Sequence, residues 1–319
     1  MTELKNFIPK SIIESIKSTK EEVILLETKK RYLNQIEGRW GGKIYLKLCC
    51  KYEKLSDDNF IDNLANNLSL SKIYYITANF FTCLHSHYIL TCTKFDLKYM
   101  IEKFEQLKSD FGQPIWEKKI SSLPILWNVF SEYDKNHFYI TYLHSNPKIT
   151  SFDPIVHEFG SFQPTGVINV RIHLDHSLML EIYNKDSSVA NIEKSISDIS
   201  KKLKINDLNF FEITQANIEN FDRSVKEVSH EAREGEETTL YLTRVNNTKD
   251  TRNDIIRVEY GLDDREFRKE HGIIEVNGND FNIGIIKGRK GRIRIMRYLP
   301  PQEQIAVMHE VFRILGWID

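Results

Sequence analysis

Only four of the 319 residues are cysteine, and Cys49, Cys50, Cys83 and Cys92 all fall in the first third. A disulfide-built secreted domain carries cysteine more densely and more evenly, so these four read as reduced thiols. Glycine (14) and proline (8) are also scarce, which excludes collagen-like and Pro/Gly-rich disordered chains. No apolar run approaches the ~20 residues of a membrane-spanning helix. The longest, 73–84, is broken by Asn79 and bounded by His85 and His87. The opening stretch MTELKNFIPKSIIESIKSTKEE lacks the apolar core of a secretory signal. The expectation is a cytoplasmic chain with no membrane partner. An excess of either charge is missing too, with 44 Lys+Arg against 45 Asp+Glu. That balance excludes histone-like and acidic-tail chains, but not a local basic patch.

At about 100–200 residues per domain, the length makes about two domains. Ser11-Ile12-Ile13-Glu14 has capping-box form and predicts a short helix. Val23, Leu25 and Leu26 suit a strand. After the turn signal Trp40-Gly41-Gly42, Ile44, Leu46 and Leu48 alternate with Lys43, Tyr45 and Lys47, the pattern of a half-buried strand. Ser56-Asp57-Asp58 predicts the cap of a helix through Phe60, Ile61, Leu64 and Leu68. Residues 73–83 and 88–93 are rich in Tyr, Ile, Thr and Phe and read as strands. Residues 96–108 read as a helix, and 125–130 with 137–143 as a strand pair.

Pro147, Pro154, Gly160, Pro164 and Gly166 then mark a soft region. The cleanest hairpin follows it. Val170, Ile172 and Leu174 alternate with Arg171, His173 and Asp175, His176-Ser177 turns the chain, and Leu178, Leu180 and Ile182 return. A helix at 189–203 and a strand at 208–214 come next. The polar tract 222–237 reads as an exposed helix or linker. Strands are predicted at 240–245, 255–260, 273–276, 281–286 and 293–298, then a helix opened by Pro300-Pro301.

This order predicts an α+β fold: mostly antiparallel sheets of hairpins, with amphipathic helices packed on one face, in two domains or lobes. The expected layout is an N-terminal α+β domain at 1–145, a connecting segment at 146–166, and a C-terminal α+β domain at 167–319 carrying the polar tract 222–237.

The most one-sided segment is 287–297. Lys287, Arg289, Lys290, Arg292, Arg294 and Arg297 give six cations and no acid in eleven positions. Gly288 and Gly291 fit a hairpin tip whose backbone N–H groups approach a phosphate. Beyond the tip, Ile293 and Ile295 share one strand face, and Arg292 and Arg294 the other. Arginine forks on a rigid strand match phosphate oxygens. The competing reading pairs these cations with the acidic stretch 227–237. A second basic area sets Lys29, Lys30, Arg31, Arg39, Lys43, Lys47 and Lys51 around Trp40 and Tyr45, where aromatics among cations can stack on bases.

Other constellations are thinner. Cys83, His85 and His87 share one face of an extended strand, with Cys92 nearby, but no Cys-x-x-Cys exists and the spacing is too long for one ion; no metal and no cofactor is expected. Arg171, His173, Asp175 and Glu181 share the outward face of the cleanest hairpin, where His173 beside Asp175 has the form of an acid/base pair. Asp263, Asp264 and Glu266 read as a polar turn. His309-Glu310 lacks the second His of a zinc-protease helix, and no phosphate loop, dinucleotide fingerprint or nucleophile elbow occurs. No catalytic residue is assigned, and whether the chain is an enzyme stays open.

The expected function is that of a nucleic-acid-binding or adapter protein that contacts phosphate backbone with little sequence preference, through Lys287, Arg289, Lys290, Arg292, Arg294 and Arg297, with Lys43 and Trp40 as secondary contacts. The alternatives are a structural subunit docking an acidic protein, and an enzyme on a phosphate-bearing substrate whose site joins His173, Asp175 or His85 to the basic hairpin.

Overall fold

A computed structural model describes residues 10–50, 59–82, 84, 86–111, 121–131, 136–147, 149–153, 158–162, 165–175, 178–185, 187–226, 228–234, 238–241 and 267–318. The chain divides into two compact units, Met1–Thr77 and Ala78–Asp319.

The first unit is helical among its described residues. It holds α1 (Lys10–Glu37), α2 (Gly42–Cys50), α3 (Phe60–Asn67) and most of α4 (Leu70–Thr82). Leu33, Ile36, Leu46, Phe60, Leu64 and Ile73 are its buried centre. Three predicted strands are helices here. Val23, Leu25 and Leu26 lie inside α1. In α2 the alternation of Ile44, Leu46 and Leu48 misleads, because Tyr45 and Leu46 are buried while Ile44 and Leu48 are exposed. That is a 3.6-residue period, and nine residues are too few to separate it from a period of two. Residues 73–82 look like a strand because they are β-branched and aromatic, but α4 is buried nearly all round, and tertiary burial overrides propensity. Its hydroxyls bond back along the helix, Thr77 Oγ1 to the Ile73 carbonyl at 2.8 Å and Thr82 Oγ1 to that of Ala78 at 2.7 Å.

The second unit contains β1 (Ser86–Lys94), α5 (Leu97–Phe111), β2 (Ile125–Ser131), β3 (His137–Ser145), β4 (Ile149–Asp153), β5 (Glu158–Phe162), β6 (Thr165–His173), β7 (Met179–Lys185), α6 (Val189–Leu203), β8 (Asn206–Phe210), α7 (Gln215–Ser224), β9 (Val228–Glu234), β10 (Thr238–Tyr241), β11 (Phe267–Val276), β12 (Asn279–Ile286), β13 (Arg292–Ile295) and α8 (Pro301–Ile314). The fold is α+β, and every strand pairing among the described residues is antiparallel. Eleven strands make one sheet in the order β10-β9-β11-β12-β13-β1-β7-β6-β3-β2, with β8 also paired to β1. β13 pairs with the start of β1 and β8 with its end. β4 and β5 form a separate hairpin.

β3 and β6 pair along their whole length, from His137 opposite His173 to Ser145 opposite Thr165. The expected connecting segment 146–166 therefore does not separate two sheets; the sheet is continuous across it. The tract 222–237 is the end of α7 followed by strand β9, neither an exposed helix nor a tether over its described residues. The expected cap at 56–58, the turn at 176–177, the strand at 255–260 and the polar turn 263–266 lie outside the described residues.

Alternation along the central strands puts apolar side chains on both faces, and helices cover both. Tyr88, Leu90, Ile140, Ile168 and Ile182 meet Met100 and Phe104 of α5 and Ile192 and Ile199 of α6. On the opposite face, Ile89, Ile283, Ile285, Ile293 and Ile295 meet α7 and α8. Among the described residues, no helix is long and apolar enough to cross a membrane.

Helix α7 starts on a capping box. Thr214 Oγ1 accepts the Asn217 backbone N–H, and Asn217 Oδ1 accepts that of Thr214 at 2.9 Å. Thr214→Ala leaves both ends of this exchange weakened and is expected to cost about 1 kcal/mol, read as a lower urea midpoint at constant slope, with Thr214→Ser restoring most of it.

Candidate functional site

Two polar assemblies stand on opposite faces of the central sheet. The first is the basic hairpin β12–β13, closed by residues 287–291. Ile293 and Ile295 are buried on the core face, and Arg292 and Arg294 lie on the other, as the alternation requires. The tip is clamped rather than open. The Gly288 N–H donates to the Ile213 carbonyl at 3.0 Å, and the Ile213 N–H donates back at 3.1 Å. Gly288 sits at φ 137, a region that favours glycine, and a Cβ on Gly291 would lie 2.4 Å from the Ile213 side chain. The glycines thus seat the tip on the protein, and the Gly288 N–H is not offered to a phosphate.

The six cations do not form one patch. Lys290, Arg292 and Arg294 share one side. The Lys290 ammonium lies 5.2 Å from the Phe210 ring centre and pairs with Glu193 at 2.6 Å. The Arg292 guanidinium lies 5.8 Å from the Tyr88 ring centre, and Arg294 Nε donates to Ser86 Oγ at 3.2 Å. Tyr88 and Phe210 meet edge to face. Arg289 is exposed at the tip. Lys287 reaches Gln215 on α7, and Arg297 lies against Phe281, whose ring belongs to the core of the opposite face. Among the described residues Glu193 of α6 pairs with the hairpin; the side chains of the tract 227–237 lie outside the described residues.

Trp40 and Lys43 belong to the first unit. Trp40 is 90% exposed in the turn before α2, and Lys43 is half-buried on the helix. The strand face expected to join Lys43, Tyr45 and Lys47 does not exist: Tyr45 is buried and its hydroxyl donates to the Ile76 carbonyl at 3.0 Å. Lys30 pairs with Asp62, and Lys29 donates to the Ala65 carbonyl.

The second assembly is buried. The outward face expected for Arg171, His173 and Glu181 is not in solvent: α8 covers this side of β6 and β7, and all three residues are at most 2% exposed. Glu181 is the hub. One carboxylate oxygen accepts from His87 Nδ1 at 2.6 Å, the other from Arg171 Nη1 at 2.7 Å and His173 Nε2 at 3.1 Å. Arg171 also donates to Gln304 of α8 at 2.5 Å and lies between the Tyr139 and Tyr183 rings. Burial alone would raise the Glu181 pKa, but the guanidinium and the two imidazoles outweigh it and hold the carboxyl well below its usual range. Burial lowers the His173 pKa, which Glu181 only partly offsets.

At the end of the sheet, His137 Nε2 stands 3.2 Å from His173 Nδ1. Asp175 is exposed just after β6, and the donor atoms of His137, His173 and Asp175 all lie within 4.8 Å of one another. His137 and Gln304 carry no signal in the sequence, since nothing in their spacing links them to Arg171 or His173. Cys83 and His85 lie outside the described residues. Cys92 is a packed thiol, raised in pKa by burial, that donates to the Asn206 carbonyl.

The chain matches no protein-family model and no curated protein sequence.

Proposed function

We propose that this protein binds nucleic acid through its phosphate backbone, with Lys290, Arg292 and Arg294 as the contact face and Arg289 reaching out from the tip. The observation that carries the reading is the side that Lys290, Arg292 and Arg294 share, built on two buried isoleucines that hold the strand in place. A pre-positioned row of cations binds phosphates with little ordering cost. Tyr88 beneath Arg292 is buried in the core and Phe210 packs against it, so the reading rests on the cations and not on base stacking. Glu193 is an exposed partner of Lys290, worth at most about 1 kcal/mol, so a phosphate displaces it readily. Contacts of this kind carry no base readout, so little sequence preference follows.

The enzyme alternative requires His173 or Asp175 to meet the basic strand face in one pocket. Pairing parity separates them: His87, Glu181 and His173 share the face of Ile293, opposite Arg292 and Arg294. The binding reading is therefore the better supported.

The test is a salt titration with short single- and double-stranded DNA and RNA, comparing the wild type with the Arg289→Ala, Lys290→Ala, Arg292→Ala, Arg294→Ala combination. Wild-type binding is expected to weaken steeply with salt. For duplex DNA the combined variant should flatten the log–log slope by about 0.9 for each phosphate it no longer neutralises. Absence of wild-type binding at low salt overturns the reading, and salt-sensitive capture of an acidic polypeptide by the same face would then point to a protein partner.

A further inference from the structure

We propose that His137, His173 and Asp175 form a site for a divalent transition-metal ion of the zinc type, at the end of the central sheet. The site lies on the opposite face from the basic strand and stands independently of the nucleic-acid reading.

The spacing of the two imidazoles is the first argument. Two nitrogens each about 2.05 Å from a tetrahedral ion lie about 3.3 Å apart. His137 Nε2 and His173 Nδ1 are 3.2 Å apart, and the rings meet edge to face at 81° with their centres 4.8 Å apart. The strands enforce this, because His137 on β3 and His173 on β6 are direct register partners. The Leu174 N–H donating to the Asn136 carbonyl at 2.8 Å extends the pairing one step further, toward Asp175.

The second argument is the support behind His173. A metal-binding histidine characteristically donates its other ring N–H to a carboxylate, which fixes the tautomer and raises the basicity of the ligating nitrogen. His173 Nε2 donates to Glu181 Oε2 at 3.1 Å, and that leaves the Nδ1 lone pair directed at His137. Glu181 is itself held by Arg171 and His87. The Phe312 ring, edge-on to His173 at 5.7 Å, walls the inner side of the imidazole.

Chemistry narrows the ion. Two imidazoles and one carboxylate favour zinc, cobalt, nickel or iron over magnesium and calcium, which prefer all-oxygen shells. Three donors come from the described residues, and a fourth ligand would complete a tetrahedral shell. Asp175 is exposed, so the third donor is on the solvent side, where an ion enters.

The experiment uses the full chain, stripped with a chelator and titrated first with Co2+ and then with Zn2+ as competitor. Wild-type protein is expected to bind one Co2+, developing visible ligand-field bands without the near-ultraviolet thiolate band that a cysteine site gives, and Zn2+ should displace it. Asp175→Asn, a change at an exposed position checked for folding by circular dichroism, is expected to weaken binding by at least about tenfold. His137→Gln, which keeps a hydrogen-bond donor toward His173, should abolish it. No saturable Co2+ or Zn2+ binding by folded wild-type protein overturns the proposal, and so does binding that Asp175→Asn leaves unchanged. If His137→Gln fails to fold, the Asp175→Asn comparison alone decides.

Discussion

Replacing Glu181 by glutamine is expected to destabilise the second unit by about 3–5 kcal/mol, more than a typical core truncation of one methyl group and close to the worst that a single substitution does. The size follows from what is left behind. Arg171 is fully buried, held between Tyr139 and Tyr183, and Glu181 is the carboxylate that balances it. Glutamine retains an acceptor for one imidazole but leaves the guanidinium charge uncompensated in a site that excludes water. Arg171→Met is expected to cost a similar amount, because it strands a buried carboxylate between two histidines. The double variant is the informative one. With both charges gone, it should cost less than the sum of the singles by about 1–3 kcal/mol, measured as urea midpoints in a double-mutant cycle. Additive costs would show that the pair does not act as a unit.

The same network also fixes how the strands meet. Through Glu181 and Arg171 it ties together β1, β7, β6 and α8. A one-residue slip of β6 against β7 would turn Arg171 to the opposite face, among Leu90, Ile182 and Met100 and away from Glu181. Such a register is excluded by the charge rather than by the apolar pattern, which is similar on both faces. This is a use for a buried ion pair that does not depend on its net contribution to stability.

How far the sequence reports these features depends on the distance between partners. The hairpin of β6 and β7, helix α6 and the meander of β11 to β13 are all legible, because each element is amphipathic and the turns between them are short. The basic run is legible as a run, but its sequence does not tell that Lys287 and Arg297 turn away from Arg292 and Arg294. Alternation also groups Arg171, His173 and Glu181 on one side of the hairpin, but it says which residues share a face and not which face is wet. The cover on that face comes from α8, with Gln304 lying 133 residues from Arg171, and His87 is 94 residues from Glu181. No local pattern carries such information. The helical unit fails for another reason. In α2 and α4 the segments are short or apolar on all sides, so neither period dominates and β-branched composition tips the reading toward strand.

The turn that opens α2 is legible from Trp40-Gly41-Gly42, and its two glycines play different parts. Gly41 adopts a left-handed backbone at φ 74, yet a Cβ there would meet nothing within 4 Å. Gly41→Ala therefore costs only the conformational strain, about 1–2 kcal/mol, and Gly41→Asn less, since asparagine tolerates that region. Gly42 is the close approach. A Cβ on it would lie 1.8 Å from the Ile36 carbonyl oxygen and 2.7 Å from its carbon. Those atoms are backbone at the end of α1, beside a fully buried side chain, and they cannot turn aside as a side chain can. Gly42→Ala is expected to cost about 3 kcal/mol or more, well above Gly41→Ala, and to lower the thermal midpoint of the first unit accordingly. Equal costs for the two variants would mean that α1 and α2 separate easily around residue 42. The contact between the end of α1 and the start of α2 would then not be what sets the angle between them.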